Sequence, residues 1–210
     1  LSAGWYSALA RSGYFDKAEL ASFRRIDSRL QGHPATHEGL PGVRIASGSL
    51  GQGLSAAIGA ALTKKLNNDS KKVFCLMGDG ELQEGQIWEA AMFAAGHKAD
   101  NLIGMIDYNG QQIDGPVDLI MPLGNLTAKW EAFGWHVIEC QGNDMGLLLE
   151  GLDQAIKACG NARPVMLLLH TEMGHGVDFM SGTHEWHGKA PNEEQFKKAM
   201  AQLEETLGDY

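Results

Sequence analysis

A carboxylate and an amide with the spacing of a cation site follow two predicted strands. Asp79 comes after the apolar run 73–77, and Asn109 comes after the apolar run 102–106. Because the carboxyl ends of parallel strands meet at the same edge of a sheet, we expect the two side chains to converge. A carboxylate, an amide oxygen and one backbone carbonyl suit a small octahedral cation such as Mg²⁺, which also binds phosphate oxygens and water.

The turn around Asp79 has the composition of an anion site. Gly78 and Gly80 flank the carboxylate and let the backbone approach a ligand closely. A strand that leads into a helix N-terminus presents unpaired N–H groups to an anion. A helical pattern does follow, with one apolar stripe made of Ile87, Trp88, Ala91, Met92 and Ala95. The segment therefore predicts a magnesium diphosphate site.

The elements that position these residues alternate between strand and helix. Strands are predicted at the apolar runs 73–77, 102–106, 135–140 and 165–169, with helical patterns between them. This alternation predicts an α/β fold with a doubly wound, mostly parallel sheet flanked by helices, in a single domain over residues 1–210. Because its five residues are all apolar, the run 73–77 predicts a strand buried on both faces.

Composition excludes several partner classes. The 210 residues carry a net charge of −9, which argues against non-specific nucleic-acid binding. No apolar run approaches the length that spans a membrane, so we expect no membrane association and a cytoplasmic location. The three cysteines lack metal-ligand spacing and predict buried, reduced thiols.

The segment 78–115 strongly resembles the thiamine diphosphate motif of the transketolase family. It has the sequence GDGELQEGQIWEAAMFAAGHKADNLIGMIDYNGQQIDG. Three other segments agree with the family in the same order: Gly32-His33-Pro34, the SGSLGQG of residues 47–53, and the WHGKAP of residues 186–191. The resemblance covers essentially the whole chain.

The resemblance implies a thiamine-diphosphate-binding fold of the diphosphate (PP) type, with thiamine diphosphate and Mg²⁺ as cofactors, or Ca²⁺ or Mn²⁺ in place of Mg²⁺. It implies that the metal ligands are Asp79, Asn109 and the carbonyl of Gln111. The cofactor-binding residues that it implies are Gly48, Leu50, Gly78, Gly80, Glu81, Asn109 and His187.

Catalytic roles are implied by the same resemblance for His33, His187 and Glu84. The first two match histidines that contact the donor sugar and lie beside the diphosphate. Glu84 matches a glutamate at the subunit interface next to the cofactor. Glu81 lies in the first predicted helical turn, where the helix dipole favours a carboxylate, so its type has an explanation without a ligand.

The implied activity is that of a transferase, a transketolase of the pentose phosphate type. It moves a two-carbon ketol unit from a ketose (phosphate) to an aldose (phosphate). The pyrimidine and C-terminal domains of the family have no counterpart in residues 1–210, so we expect them on a partner chain, in an α2β2 heterotetramer of a split transketolase.

Two departures from the family pattern stand out. Tyr108 precedes Asn109, where the family usually has Asp or Asn. Relatives also carry some tens of residues before the segment that matches the start of this chain, ending in Ser-Lys-Gly-His, and that histidine is expected to complete the active site.

Three other interpretations stay open. The chain could be half of another thiamine diphosphate enzyme, resembling a deoxyxylulose-phosphate synthase or the α subunit of an oxo-acid dehydrogenase. It could be a non-catalytic paralogue that acts as a binding or regulatory module. A nucleotide-binding α/β domain is the least supported, because no Gly-x-Gly-x-x-Gly turn follows a strand.

Overall fold

The four predicted strands form one parallel sheet in the computed structural model, which describes residues 2–203. The sheet order is β1-β2-β6-β5, and each neighbouring pair is parallel. A separate antiparallel pair is formed by the short strands β3 and β4. The strands are β1 (Val73–Gly78), β2 (Leu102–Tyr108), β3 (Gln111–Gln112), β4 (Gly115–Pro116), β5 (His136–Gln141) and β6 (Val165–His170).

Residues 2–50 and residues 51–203 form two separate compact units. The first contains helix α1 (Ser2–Arg11) and two short 3₁₀ turns, Lys17–Ser22 and Thr36–Glu38. Its small core is formed by Tyr6, Leu30 and Leu40.

The second unit contains the sheet and the remaining helices. These are α2 (Gln52–Leu66), α3 (Gly85–Gly96), α4 (Val117–Ile120), α5 (Leu126–Ala132), α6 (Met145–Ala158) and α7 (Glu193–Gln202). Helices cover both faces of the sheet, which confirms the predicted fold class. The bounds of the predicted single domain, Leu1 and Tyr210, lie outside the described residues.

The larger core lies between one face of the sheet and helices α2, α3 and α5. It contains strand residues such as Met77 and Ile106 and the two fully buried tryptophans Trp130 and Trp135. A smaller core lies on the opposite face, where Ala155 of α6 belongs to one cluster with Ile103 of β2. β2 therefore contributes to both cores, as a central strand of a two-sided sheet must.

The predicted burial of β1 on both faces is wrong. Phe74 is 46% exposed and Leu76 is 50% exposed, whereas Cys75 and Met77 between them are buried. β1 lies at an edge of the sheet, and α6 packs against β5 and β6 at the other side. The outward side chains of β1 consequently have no helix over them in the second unit.

The predicted apolar stripe of α3 also needs a correction. The buried residues of this helix are Ile87, Ala90, Ala91 and Ala94, and Met92 is exposed. A helix turns by about 100° per residue, so a stripe centred on Ala91 points Met92 well away from the core.

The register of the sheet sets the level at which the strands end. Gly78 of β1 pairs with Asp107 of β2, and Tyr108 of β2 pairs with His170 of β6. The carboxyl ends of three neighbouring strands thus lie at one edge of the sheet. Within residues 2–203, no helix is both long and apolar enough to cross a membrane.

We predict that Ile106→Ala lowers the free energy of unfolding of the second unit by about 2–5 kcal/mol, because it leaves a cavity at a fully buried position of β2. Urea denaturation followed by tryptophan fluorescence measures this loss. The control Leu119→Ala, at a side chain that is 80% exposed, should change it by no more than about 0.5 kcal/mol. Equal losses in the two variants would contradict the assigned core.

Candidate active site

Asp79 lies between the ends of β1 and β2. Its backbone N–H donates to the carbonyl oxygen of Asp107 at 3.2 Å. One carboxylate oxygen accepts from the Gly80 N–H at 2.8 Å, and the other accepts from the Gly110 N–H at 2.6 Å. The side chain is only 1% exposed. Main-chain groups that follow both strands therefore fix the orientation of this carboxylate.

Asn109 follows β2 directly, and its backbone lies over Asp79. The side-chain oxygen of Asn109 accepts from the Gln111 N–H at 2.9 Å, which tightens the turn. The backbone N–H groups of Asn109 and Gly110 both stabilise the Asp79 carboxylate. The structure thus brings Asp79 together with the backbone of residues 109–110, while the Asn109 amide oxygen contacts Gln111.

Burial controls the charge of Asp79. It raises the pKa of the carboxyl to about 6, whereas the Gly110 and Gly80 N–H groups lower the pKa and the nearby Asp107 raises it. A neighbouring cation stabilises the ionised form of such a group. The site therefore has a carboxylate whose charge a bound cation would compensate.

The turn after Asp79 differs from the predicted continuous helix. Gly80–Gln83 is a 3₁₀ turn, Glu84 is extended, and α3 begins only at Gly85. The fully buried side chain of Leu82 anchors this turn in the core, so the chain changes direction before the helix starts. The Gly80 N–H donates to Asp79 rather than facing a ligand at a helix N-terminus.

Gly80 also packs closely against the segment that follows β2. A Cβ atom at this position would lie 2.7 Å from the Cβ of Gln112, which is too close for any side chain without movement of the backbone. The absence of a side chain at Gly80 therefore allows the strand-end turn and residues 109–112 to approach each other.

Glu81 connects three elements through its carboxylate. It accepts hydrogen bonds from the Gly51 N–H at 2.9 Å and from the Gly78 N–H at 3.3 Å. Gly51 is the residue that precedes α2, so Glu81 joins the start of this helix to the end of β1. The helix-dipole explanation for Glu81 is therefore wrong. Glu84 lies on the exposed surface beside Gly51, where a Cβ on the glycine would be 3.1 Å from the Glu84 Cβ.

His187 is exposed and belongs to a long segment, residues 171–189, which we call the His187 loop. The backbone N–H of His187 donates to the carbonyl oxygen of His184 at 2.8 Å. The loop also reaches the segment after β2, because the Gln111 side-chain amide donates to the Gly182 carbonyl at 3.5 Å. This contact brings the loop that carries His187 next to the loop that carries Asn109.

The remaining predicted residues, His33, Gly48 and Leu50, lie in the first unit. Gly48 has a φ of 112°, and a Cβ there would be 2.5 Å from the imidazole Cδ2 of His33. Leu50 is exposed. His33 lines an open cavity of about 440 Å³ together with Arg24 and His37, which were not predicted as site residues. Their positions before and after the Gly32-His33-Pro34 motif were the available signal.

Two further pairs at the same sheet edge were missed. The Thr171 hydroxyl donates to the Asp107 carboxylate, and it joins the end of β6 to β2. His170 lies 2.8 Å from the Glu139 carboxylate of β5. Asp107 could have been found from its place two residues before Asn109. The partner Thr171 is distant in sequence and lies outside the matching motifs.

Oxygen atoms dominate the candidate metal site. In the described part of the chain, no cluster of three or more His, Cys, Asp or Glu side chains has the arrangement of a metal site. The predicted set needs only one such residue, Asp79, beside amide and carbonyl oxygens, which are ligands of hard cations. The side-chain oxygen of Gln111 is buried and has no hydrogen-bond partner among the described residues, so an unused acceptor lies in the same segment.

Comparison with known proteins identifies the family. Residues 1–207 match the model of the thiamine diphosphate binding domain of transketolase. The chain belongs to the transketolase family. The predicted resemblance is thereby confirmed, and so is the thiamine-diphosphate-binding type of the domain.

The similar curated proteins include components of split transketolases. The chain is 40% identical over 202 residues to one of the two named components of the apulose-4-phosphate transketolase of Actinobacillus succinogenes, a match that covers 96% of this chain and 72% of that protein. It is 42% identical over 199 residues to a 6-deoxy-6-sulfo-D-fructose transketolase subunit of a Clostridium species, covering 95% and 71%.

A crystal structure of a transketolase from Campylobacter jejuni has the same fold over most of the chain. The TM-score is 0.79 and the sequence identity is 37%, over 88% of this chain. The matched part is 29% of that transketolase. The present chain therefore corresponds to less than a third of the transketolase of known structure.

We predict that the stability of the metal-free chain depends on the ionisation of Asp79. Its pKa is raised from 3.8 to about 6 on folding, so the folded state binds this proton more tightly than the unfolded state. The contribution is full below the unfolded pKa and is lost as the pH rises through about 6. The difference amounts to roughly 1.4 kcal/mol for each unit of pKa.

Asp79→Asn should remove this dependence, and urea denaturation in chelator-treated buffer across the range measures it. Asp114→Asn, at an exposed carboxylate of the β3–β4 turn, serves as the control and should retain the wild-type profile. A wild-type profile parallel to that of Asp79→Asn would contradict the raised pKa.

Proposed function

We propose that this protein is the diphosphate-binding subunit of a split transketolase. In this proposal it transfers a two-carbon ketol unit from a ketose (phosphate) donor to an aldose (phosphate) acceptor, and it acts only with a partner chain that carries the pyrimidine domain. The proposed assembly is an α2β2 heterotetramer in the cytoplasm. The family membership and the subunit names of the similar proteins support the proposal.

One observation carries the proposal. The Asp79 carboxylate is buried where two strands end, and the backbone of residues 109–110 faces it. A buried carboxylate with a raised pKa is costly in the free chain, and a divalent cation offsets that cost. Asp79 Oδ1 accepts from the Gly80 N–H and Asn109 Oδ1 accepts from the Gln111 N–H, and an oxygen with two lone pairs retains one of them for a metal.

The residues that would bind Mg²⁺, or Ca²⁺ or Mn²⁺ in its place, are Asp79, Asn109 and the carbonyl of Gln111. When bound, thiamine diphosphate supplies the carbanion chemistry that breaks and forms the carbon–carbon bond of the sugar. The diphosphate would be bound beside the metal by His187 and by the turn Gly78, Gly80 and Glu81. In this assignment Glu81 acts indirectly, because its carboxylate orients the backbone of Gly78 and Gly51.

The two exposed histidines would act on the sugar. His33 orients the donor near its terminal hydroxyl, and His187 exchanges a proton with the substrate hydroxyl whose proton must move. Gly48 and Leu50 would contact the cofactor rings, and Gly48 leaves the space that the His33 imidazole occupies. Glu84, on the exposed surface before α3, would lie at the interface between subunits.

The donor is proposed at the level of a chemical class. The similar curated proteins are named for apulose 4-phosphate and for 6-deoxy-6-sulfo-D-fructose, which are both ketoses with an anionic group. A pentose phosphate role is one member of this range. The function is tested by reconstituting the chain with its partner and comparing xylulose 5-phosphate with pyruvate as donors. Turnover of pyruvate alone would assign the chain to another class of thiamine diphosphate enzyme.

We predict that Asp79→Ala and Asn109→Ala each abolish magnesium-dependent binding of thiamine diphosphate by the reconstituted complex, because each removes an oxygen ligand of the metal. Isothermal titration calorimetry with and without Mg²⁺ measures binding, and circular dichroism checks the fold. Asp114→Ala is the matched control at an exposed carboxylate of the same segment and should bind like the wild type. Full activity of either ligand variant at limiting Mg²⁺ would refute that ligand.

We predict that Gly48→Ala raises the KM for the donor, by about tenfold or more, because its Cβ would displace the His33 imidazole from 2.5 Å away. Steady-state kinetics of the reconstituted complex measure this change. Gly13→Ala is the control, since Gly13 also has a positive φ, of 80°, but has open space around the Cβ position. An equal change in both variants would show that backbone strain, and not the histidine contact, is responsible.

A further inference from the structure

The His187 loop is attached to α7 at Asp178, nine residues before His187 in the sequence. The backbone N–H of Asp178 donates to the side-chain oxygen of Gln202 at 2.8 Å. The Lys198 ammonium lies 3.0 Å from the Asp178 carboxylate. Two side chains of one helix thus contact both the backbone and the side chain of the same loop residue.

Aromatic contacts continue this connection toward His187. The Lys198 ammonium lies 5.2 Å from the ring centroid of Phe179. The Phe179 ring meets Trp186 edge-on at 5.3 Å between centroids, and the Trp186 indole N–H donates to the Phe179 carbonyl at 2.8 Å. Trp186 directly precedes His187. Each contact from the helix to the histidine is therefore present in the structure.

The other end of α7 is close to His187 along the chain. Asn192 and Gln195 form a reciprocal capping box at the start of the helix, five residues after His187. The chain from Asp178 through His187 to Lys198 is consequently closed into a ring by the contacts of α7. Closing a segment in this way reduces the conformations that its backbone can adopt.

The base of the His187 loop has its own contacts and does not need α7. Glu172 accepts from the Ser181 hydroxyl and pairs with His175, and a Cβ on Gly174 would be 2.3 Å from the Met180 carbonyl oxygen. These contacts involve the first half of the loop. Removing a contact of α7 should therefore loosen the segment around Trp186 without unfolding the loop.

We propose that Lys198 and Gln202 are positioning residues for His187, acting through Asp178, Phe179 and Trp186. Their effect on turnover depends on the proposed function, whereas their effect on the loop does not. The ion pair is more than half exposed on both sides, so its contribution is small. Together with the cation–π contact, its loss should lower turnover about three- to fivefold.

The test variant is Lys198→Met, which keeps a long helix-forming side chain and removes the charge. The matched control is Lys197→Met, because Lys197 pairs with Glu193 at 2.8 Å on the same helix and has no such contact with the loop among the described interactions. Lys198→Arg retains both the ion pair and the cation–π contact and should behave like the wild type.

The first measurement uses the full chain without cofactor. Hydrogen exchange of residues 178–187 should be faster in Lys198→Met than in Lys197→Met, and the NMR signal of the His187 imidazole should shift or broaden only in Lys198→Met. The melting temperatures of the two variants should agree. Equal exchange and equal His187 signals in both would overturn the proposal, whether or not the chain is a transketolase.

The second measurement uses the reconstituted complex. Lys198→Met should lower kcat/KM about three- to fivefold, and the same change in a His187→Ala background should have no further effect. A loss that multiplies with that of His187→Ala would overturn the positioning role. If the wild-type complex has no transketolase turnover, the proposed function fails, and the His187 signal alone then decides the positioning role.

Discussion

The site depends on a carboxylate that is enclosed by main-chain donors at the ends of two parallel strands. The register that pairs Gly78 with Asp107 ends β1 and β2 at the same level, so Asp79 meets the backbone that follows β2. Burying a carboxylate is unfavourable unless it is paired or hydrogen-bonded. The N–H groups offset part of this cost, and the raised pKa of Asp79 shows that they do not offset all of it.

The parts of the protein around Asp79 follow from the same constraint. Gly80 has no side chain because Gln112 lies directly against it. Glu81, two residues after Asp79, extends the connection to the start of α2 through Gly51. A buried and hydrogen-bonded group is positioned with high precision, whereas His187 is exposed and depends on its own loop. The site thus combines a rigid centre at the strand ends with a more adaptable rim.

The sequence predicted those features that depend on short stretches of chain. β2 and β6 are apolar over most of their length because they are buried on both sides, and their pattern was sufficient to predict them. The half-exposed faces of Phe74 and Leu76 could not be predicted, because an apolar run does not show whether its strand lies at the edge of the sheet. The contact between Thr171 and Asp107 joins residues far apart in sequence, and only the folded register brings them together. The start of α3 was misplaced because Leu82 fits both a helical stripe and a buried turn.

The exposed face of β1 has a consequence for how this chain behaves at high concentration. An edge strand with large apolar side chains and unpaired backbone groups is a template for pairing with another strand. In the described residues, β1 combines such an edge with the outward side chains of Phe74 and Leu76. Self-association and loss of solubility are therefore expected to begin at this strand whenever nothing covers it.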